Sequence, residues 1–269
     1  ATLEGGAELF DVAGNMSLQA NIGVRDVHEG TVDVEGTFDM ANETYAAQMF
    51  FDSLVVNHYV ALEDTAVFSG KASVQGEGLD FFSPHTVVQA VASLSDSRFG
   101  KIDLDNIQTD VTLKGQQLLA NVLCDNSQLQ VQLKLDTELQ KHLIDGSLDM
   151  DGPLVDMQGM GVSEERMQAS SRGTVTFSYD WGEIFSINSH IDELSLLVRK
   201  DSVHAENMDL YAAAQKDTTV ATFKTGDLVF DFFTPNNVFQ LLPRLEELGE
   251  VAGQQFKDRN VNLDVLKTY

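Results

Sequence analysis

The stretch Thr31-Val-Asp-Val-Glu-Gly-Thr-Phe-Asp-Met40 decides how this chain folds. Val32, Val34, Phe38 and Met40 fall on one parity, Asp33, Glu35 and Asp39 on the other. Side chains on a strand point alternately to opposite faces, so this period of two predicts a half-buried strand with one apolar and one wet face. A pairing slip of one residue would turn every apolar group to water, so the pattern also specifies which face is covered.

The same writing recurs in both directions along the chain. It returns at 129–135 (LQVQLKL), at 173–179 (GTVTFSY) and at 102–113, where the phase switches near Asn106 and predicts a bulge or break. Turn-forming clusters at 26–30, 125–127, 151–153 and 216–218 are expected at strand ends. At about five or six residues per strand plus a turn, roughly 18 to 22 strands are expected. The counts of 20 Gly and only 4 Pro suit antiparallel meanders.

The decapeptide DFFSPHTVVQ at 80–89 returns as DFFTPNNVFQ at 231–240, with six of ten residues shared. After the first copy, Val88, Ala90, Ala92 and Leu94 fit a strand, while Val87, Val88, Val91 and Leu94 fit a helix capped by Ser83-Pro84 nearly as well. The repeat reads as a shared strand terminator, not a duplicated domain. After the second copy, Val238, Leu241, Leu242, Leu245, Leu248, Ala252 and Phe256 form a stripe at spacings of three and four, which predicts a helix with Thr234 as N-cap and Pro235 in its first turn. Pro243 should split it, leaving a longer piece at 243–257, and 262–269 begins another. Three stretches follow: a β-rich segment at 1–152, a continuing β segment at 153–233 and a helical segment at 234–269.

With 269 residues, 43% of them apolar, the chain can bury a core. Its 42 acidic against 17 basic residues give a net charge of −25, a field that repels nucleic acid and anionic membranes. Cys124 is the single cysteine, so neither an internal disulfide nor a thiolate metal cluster is available; with no basic neighbour in sequence it reads as a small buried apolar residue. No apolar run approaches the roughly 18 residues of a membrane helix. A start at Ala1 without a signal-like region reads as a processed or excised piece, with any anchor elsewhere.

Motifs for chemistry are sparse. His28, His58, His85, His142, His190 and His204 show no i, i+2 or i, i+4 metal pairing. Asp149-Met-Asp151-Gly152 begins like a calcium loop but meets Pro153 and lacks the later ligands. Gly70-Lys-Ala-Ser73 lacks the upstream glycine of a phosphate loop, and no G-x-S-x-G elbow is present. Two carboxylates meeting in a cleft could serve glycoside hydrolysis, yet alternation places most acids on the solvent face. Asn15-Met-Ser17 and Asn42-Glu-Thr44 match the glycosylation tripeptide, and Phe177, Tyr179 and Trp181 make one aromatic stripe. No catalytic, cofactor or metal site is expected, and the chain reads as non-enzymatic.

The run from Asp52 through Val55, Asn57 and Tyr59 to Phe68, then 70–84 and 100–107, resembles TamB-type proteins of the AsmA-like superfamily in the form found in Bacteroides-like bacteria. Asp217-Thr-Thr219, 226–232 and Leu266-Lys-Thr-Tyr269 are similar to that family too. The resemblance implies a periplasmic location, a tether to the inner membrane by an N-terminal helix outside this chain, and strands rolled into an open β-taco or half-barrel groove. It further implies carriage of phospholipid acyl chains toward the outer membrane, or assistance to assembly of an outer-membrane β-barrel partner. The fold class expected is therefore mainly β, a long curled antiparallel sheet with a helical segment near the C-terminus. The groove lining expected is Met16, Leu18, Ile22, Val24, Val32, Val34, Phe38, Leu129, Val131, Leu133, Val175 and Phe177, with small neighbours such as Ala72, Ala120 and Ala212 leaving room. A β-sandwich would use the same alternation, so a closed β-rich scaffold that binds another envelope protein by strand addition is the alternative.

Overall fold

The computed structural model describes residues 2–12, 15–25, 30–58, 60–181 and 184–235, with backbone only over 2–25 and at His58. The predicted helical segment after Pro235 and the turn at 26–29 lie outside these residues.

Almost everything described is strand. In chain order these are β1 (Thr2–Val12), β2 (Asn15–Arg25), β3 (Thr31–Asp39), β4 (Thr44–Val55), β5 (Ala66–Glu77), β6 (Val87–Phe99), β7 (Ile102–Asp103) and β8 (Ile107–Lys114). They continue as β9 (Gln117–Asp125), β10 (Leu129–Leu139), β11 (Leu143–Asp156), β12 (Met167–Asp180), β13 (Ile184–Val198), β14 (Asp201–Gln215), β15 (Thr219–Thr225) and β16 (Leu228–Thr234). One 3-10 turn, Val56–His58, follows β4. Each strand pairs antiparallel with its sequence neighbours, except that β7 is a spur on β6 and β8 takes the next place in the ladder. The sheet has sixteen strands and is not closed, with β1 at one end and β16 at the other. At about 4.8 Å per step the path from β1 to β16 is roughly 67 Å long.

Among the described residues sixteen strands, several of 14 or 15 residues, stand against the roughly 18 to 22 shorter ones that usual strand length predicts for the chain. Part of the reason lies at 151–153. This Asp-Gly-Pro is not a strand end: it sits inside β11, where the pairing with β12 shifts between Gly152 and Val155 and that with β10 between Gln130 and Gln132. A bulge interrupts the ladder, so a proline with no N–H is tolerated there. The proposed boundary between 152 and 153 falls at this bulge, and β11 pairs on both sides of it.

Other turns stand where the residues predict them. The phase switch near Asn106 is the turn between β7 and β8, with Asn106 at φ 55°. The 125–127 turn is organised by Asn126, whose amide donates to the carbonyls of Asp103 and Asp105 (3.1 Å each) while its Oδ1 accepts from the N–H groups of Gln128 (2.9 Å) and Leu129 (2.8 Å). The chain also turns at 216–218, where the Gln215 N–H donates to the Thr218 carbonyl (2.7 Å).

Over the residues described in both, the two DFF windows differ in conformation. Asp80 to Thr86 form the loop between β5 and β6, in which Thr86 Oγ1 donates to the Asp80 carbonyl (2.7 Å) and the Phe82 N–H to Asp80 Oδ1 (3.0 Å). In the second window Asp231 to Thr234 end strand β16. From Val87 onward the chain forms strand β6 rather than a helix: alternate positions Val88, Ala90, Ala92 and Leu94 fall in register with Gly76, Val74, Ala72 and Gly70 on β5 and with Leu113, Val111, Thr109 and Ile107 on β8, of which Thr109 alone is polar.

Among the described residues only Ala66, Leu113, Cys124, Met208, Ala213 and Ala214 are buried apolar side chains. A sheet packed on a second layer about 10 Å away would bury whole rows. Here the inward rows are mostly half-buried, and no described layer covers them.

Candidate functional site

Register assembles the alternating residues into rows that cross the ladder. One row passes from Phe38 to Tyr45, Gly76, Val88, Leu113 and Leu118, then through Thr137, Gly146, Phe177, Ile187, Ala212, Ala221 and Phe232. A second passes from Val34 through Met49, Ala72, Ala92, Thr109, Val122, Leu133 and Met150 to Gly173, Ile191 and Met208. Cross-strand pairs of this kind stabilise a sheet, and here they also make one continuous apolar face.

The twelve lining positions predicted from the sequence can now be placed. Val32, Val34, Phe38, Leu129, Val131, Leu133, Val175 and Phe177 share this face through the ladder, half-buried. Leu18, Ile22 and Val24 pair in register with Phe38, Val34 and Val32, and Met16 lies two residues before Leu18 on the same strand. The small residues Ala72, Ala120 and Ala212 sit on it too.

Few polar groups interrupt this face. Thr137 is 3% exposed, and its Oγ1 has no hydrogen-bond partner among the described residues. Its ladder partner is Gly146, where a side chain would strike Thr137 Oγ1 and the Phe177 ring. Gly173 is buried, and a Cβ there would lie 2.4 Å from the His190 carbonyl oxygen. Both glycines mark places where neighbouring chains come closer than a side chain allows. Cys124 is buried on the same face in register with Ile107 and Val131, and burial pushes its thiol pKa up, with Asp103 and Asp125 adding to the shift. At the end of β12 the Tyr179 ring lies 5.6 Å from Trp181 and 6.5 Å from Phe185, while Trp181 itself is exposed.

The opposite face is polar, and its carboxylates are tied by cross-strand neighbours. Thr174 Oγ1 donates to Asp149 (2.7 Å), Asn121 Nδ2 to Asp110 (2.8 Å), and Arg172 pairs with Asp151 at 3.5 Å. The calcium-like Asp149-Met-Asp151 thus lies within a strand, and no cluster of three or more metal-ligating side chains occurs among the described residues.

Two arrangements escape sequence inspection because only register creates them. His190 Nδ1 lies 2.6 Å from Asp209 Oδ1 and its Nε2 3.3 Å from Asp192 Oδ1. The hydrogen bond to Asp209 raises the His190 pKa above its ordinary value. Ser195 Oγ lies 2.6 Å from His204 Nδ1. A Ser–His–Asp relay needs one histidine between the other two. These are different histidines, and His204 and Asp209 stand five steps apart along β14, about 16 Å of strand. A hollow of 590 Å³ also opens on the polar face, among Gln48, Phe50, Lys71, Val91, Ser93 and Asp110, and none of the twelve predicted positions lines it.

Comparison with protein-family models, with curated proteins and with solved structures returned no match. No helix among the described residues is long and apolar enough to cross a membrane.

Proposed function

We propose that this chain is a non-enzymatic lipid-conducting or outer-membrane-assembly module of the periplasm, whose apolar face lines an open β-taco or half-barrel trough for phospholipid acyl chains. The reading rests on one observation: apolar rows run the length of the ladder and stay half-exposed, with no described layer over them. Leaving so much apolar surface uncovered is costly for a protein in water, at about 25 cal/mol per Å², so a face of this size calls for an occupant. Acyl chains fit its chemistry. Each methylene withdrawn from water contributes about 0.8 kcal/mol, and rows repeating every ~4.8 Å offer a tail nearly equivalent positions to step between. The acidic face remains in water. A tether to the inner membrane and an outer-membrane β-barrel partner complete the proposal, and both rest on the family resemblance.

The test places photo-crosslinking residues at Val34 and Leu133 on the apolar face and at Glu35 and Lys134 on the polar face, with native mass spectrometry of the purified chain for bound lipid. Adducts at the first pair alone are expected. Absence of lipid adducts at both Val34 and Leu133, or equal labelling of the two faces, would overturn the reading.

A further inference from the structure

We infer that the last described strand, β16, is the docking surface for the chain's own stripe at 238–256. Three features of β16 point there. It ends the ladder, so every second residue turns its N–H and C=O away from β15. It is apolar on both faces: Leu228, Phe230 and Phe232 continue the apolar face, while Val229 and Phe233 stand on the side that is polar elsewhere. All five are exposed, Phe233 to 67% and Phe230 to 61%. A strand apolar on both sides is the pattern of one covered on both sides. Free edges are usually blunted by lysine, proline, a bulge or inward charge; β16 carries only Asp231, held by Thr222 Oγ1 at 2.9 Å.

The occupant follows from where the described chain stops. Pro235 comes directly after β16, and 34 residues follow it. Among them Leu241, Leu245, Leu248 and Phe256 recur at helical spacing. As a helix, 243–257 would be about 22 Å long, and the seven residues of β16 span about 23 Å. The intervening 236–242 reaches about 23–25 Å when extended, enough to turn back along the strand. A second copy is the poorer fit, because the symmetric antiparallel pairing that matches Phe230 with Phe232 sets Asp231 against Asp231, and like charges directly opposite are destabilising. Docking of the stripe would cover Val229 and Phe233, independently of what occupies the apolar face.

The test uses the full chain with Cys124→Ala, adding Phe233→Cys with either Leu245→Cys or, as control, Glu246→Cys. Under mild oxidation the first pair is expected to form an intramolecular disulfide several-fold faster than the control. Hydrogen exchange supplies the second readout: in the Leu245→Asp/Leu248→Asp variant, β16 amides should exchange at least tenfold faster than in the parent, with β8 to β12 unchanged as evidence of folding. Equal exchange in β16, equal disulfide rates for the two pairs, or purely intermolecular disulfides indicating a second copy would each overturn the inference. So would protection of β16 that appears only when a separate partner strand is added.

Discussion

Replacing Leu133 and Leu113 separately by alanine measures how far the apolar face is covered. Leu113 on β8 is 3% exposed and faces Val88 and Leu118 across the ladder. Leu113→Ala removes three carbons, roughly 2.4 kcal/mol of transfer at about 0.8 per carbon. The hole it leaves is enclosed, and the cavity term lifts the total to about 3–4 kcal/mol. Leu133 on β10 faces Val122 and Met150 but is only half-buried. Part of its transfer free energy is never gained on folding, and a gap open to solvent carries no cavity term, so Leu133→Ala should cost about 1–1.5 kcal/mol. Urea unfolding followed by circular dichroism reads the two midpoints, with an unchanged slope confirming that only stability moved. If Leu133→Ala costs as much as Leu113→Ala, something covers Leu133 and the single-layer reasoning is refuted.

The remaining predictions concern single positions. Gly173→Ala forces a Cβ against the His190 carbonyl and should cost about 1–3 kcal/mol in the same urea assay, with faster hydrogen exchange along the β12–β13 ladder. Thr137→Val removes a buried hydroxyl without a partner and should stabilise by about 1 kcal/mol, read as a higher midpoint. For His190, the hydrogen bond to Asp209 raises the folded pKa, so the stabilisation is fully present below the ordinary histidine range and is lost as pH rises through the raised value. An NMR titration of the His190 ring should therefore show a lower pKa in Asp209→Asn, and an unchanged one would refute the assignment.

The strands themselves were legible because their residues carry the period. Val32 to Phe38 alternate cleanly, and the expected lining residues with described side chains share one face by register. What misled is equally specific. Asp151-Gly152-Pro153 has turn composition but sits in a bulge, since local residue type does not distinguish a chain that turns from one that merely skips a hydrogen bond. The two DFF windows share six residues, yet 80–83 lie in a loop where 231–234 lie in a strand; within the first, Thr86, which is not among the shared residues, ties back to the Asp80 carbonyl. Phe50, Leu119 and Leu123 lie exposed on the polar face, where alternation alone would not put them. The His190–Asp209 and Ser195–His204 contacts belong to pairing between strands, which no single stretch of sequence encodes.

Because every described strand but the β7 spur pairs with the next along the ladder, the architecture behaves as a one-dimensional array. Adding or deleting a hairpin would lengthen or shorten it by about 9.6 Å while leaving chain direction and the identity of both faces intact. Contacts close over short loops, so assembly can begin at any hairpin and spread, without the slow long-range closure of a barrel. The same locality makes the length of the ladder a dimension that selection can tune in steps of two strands.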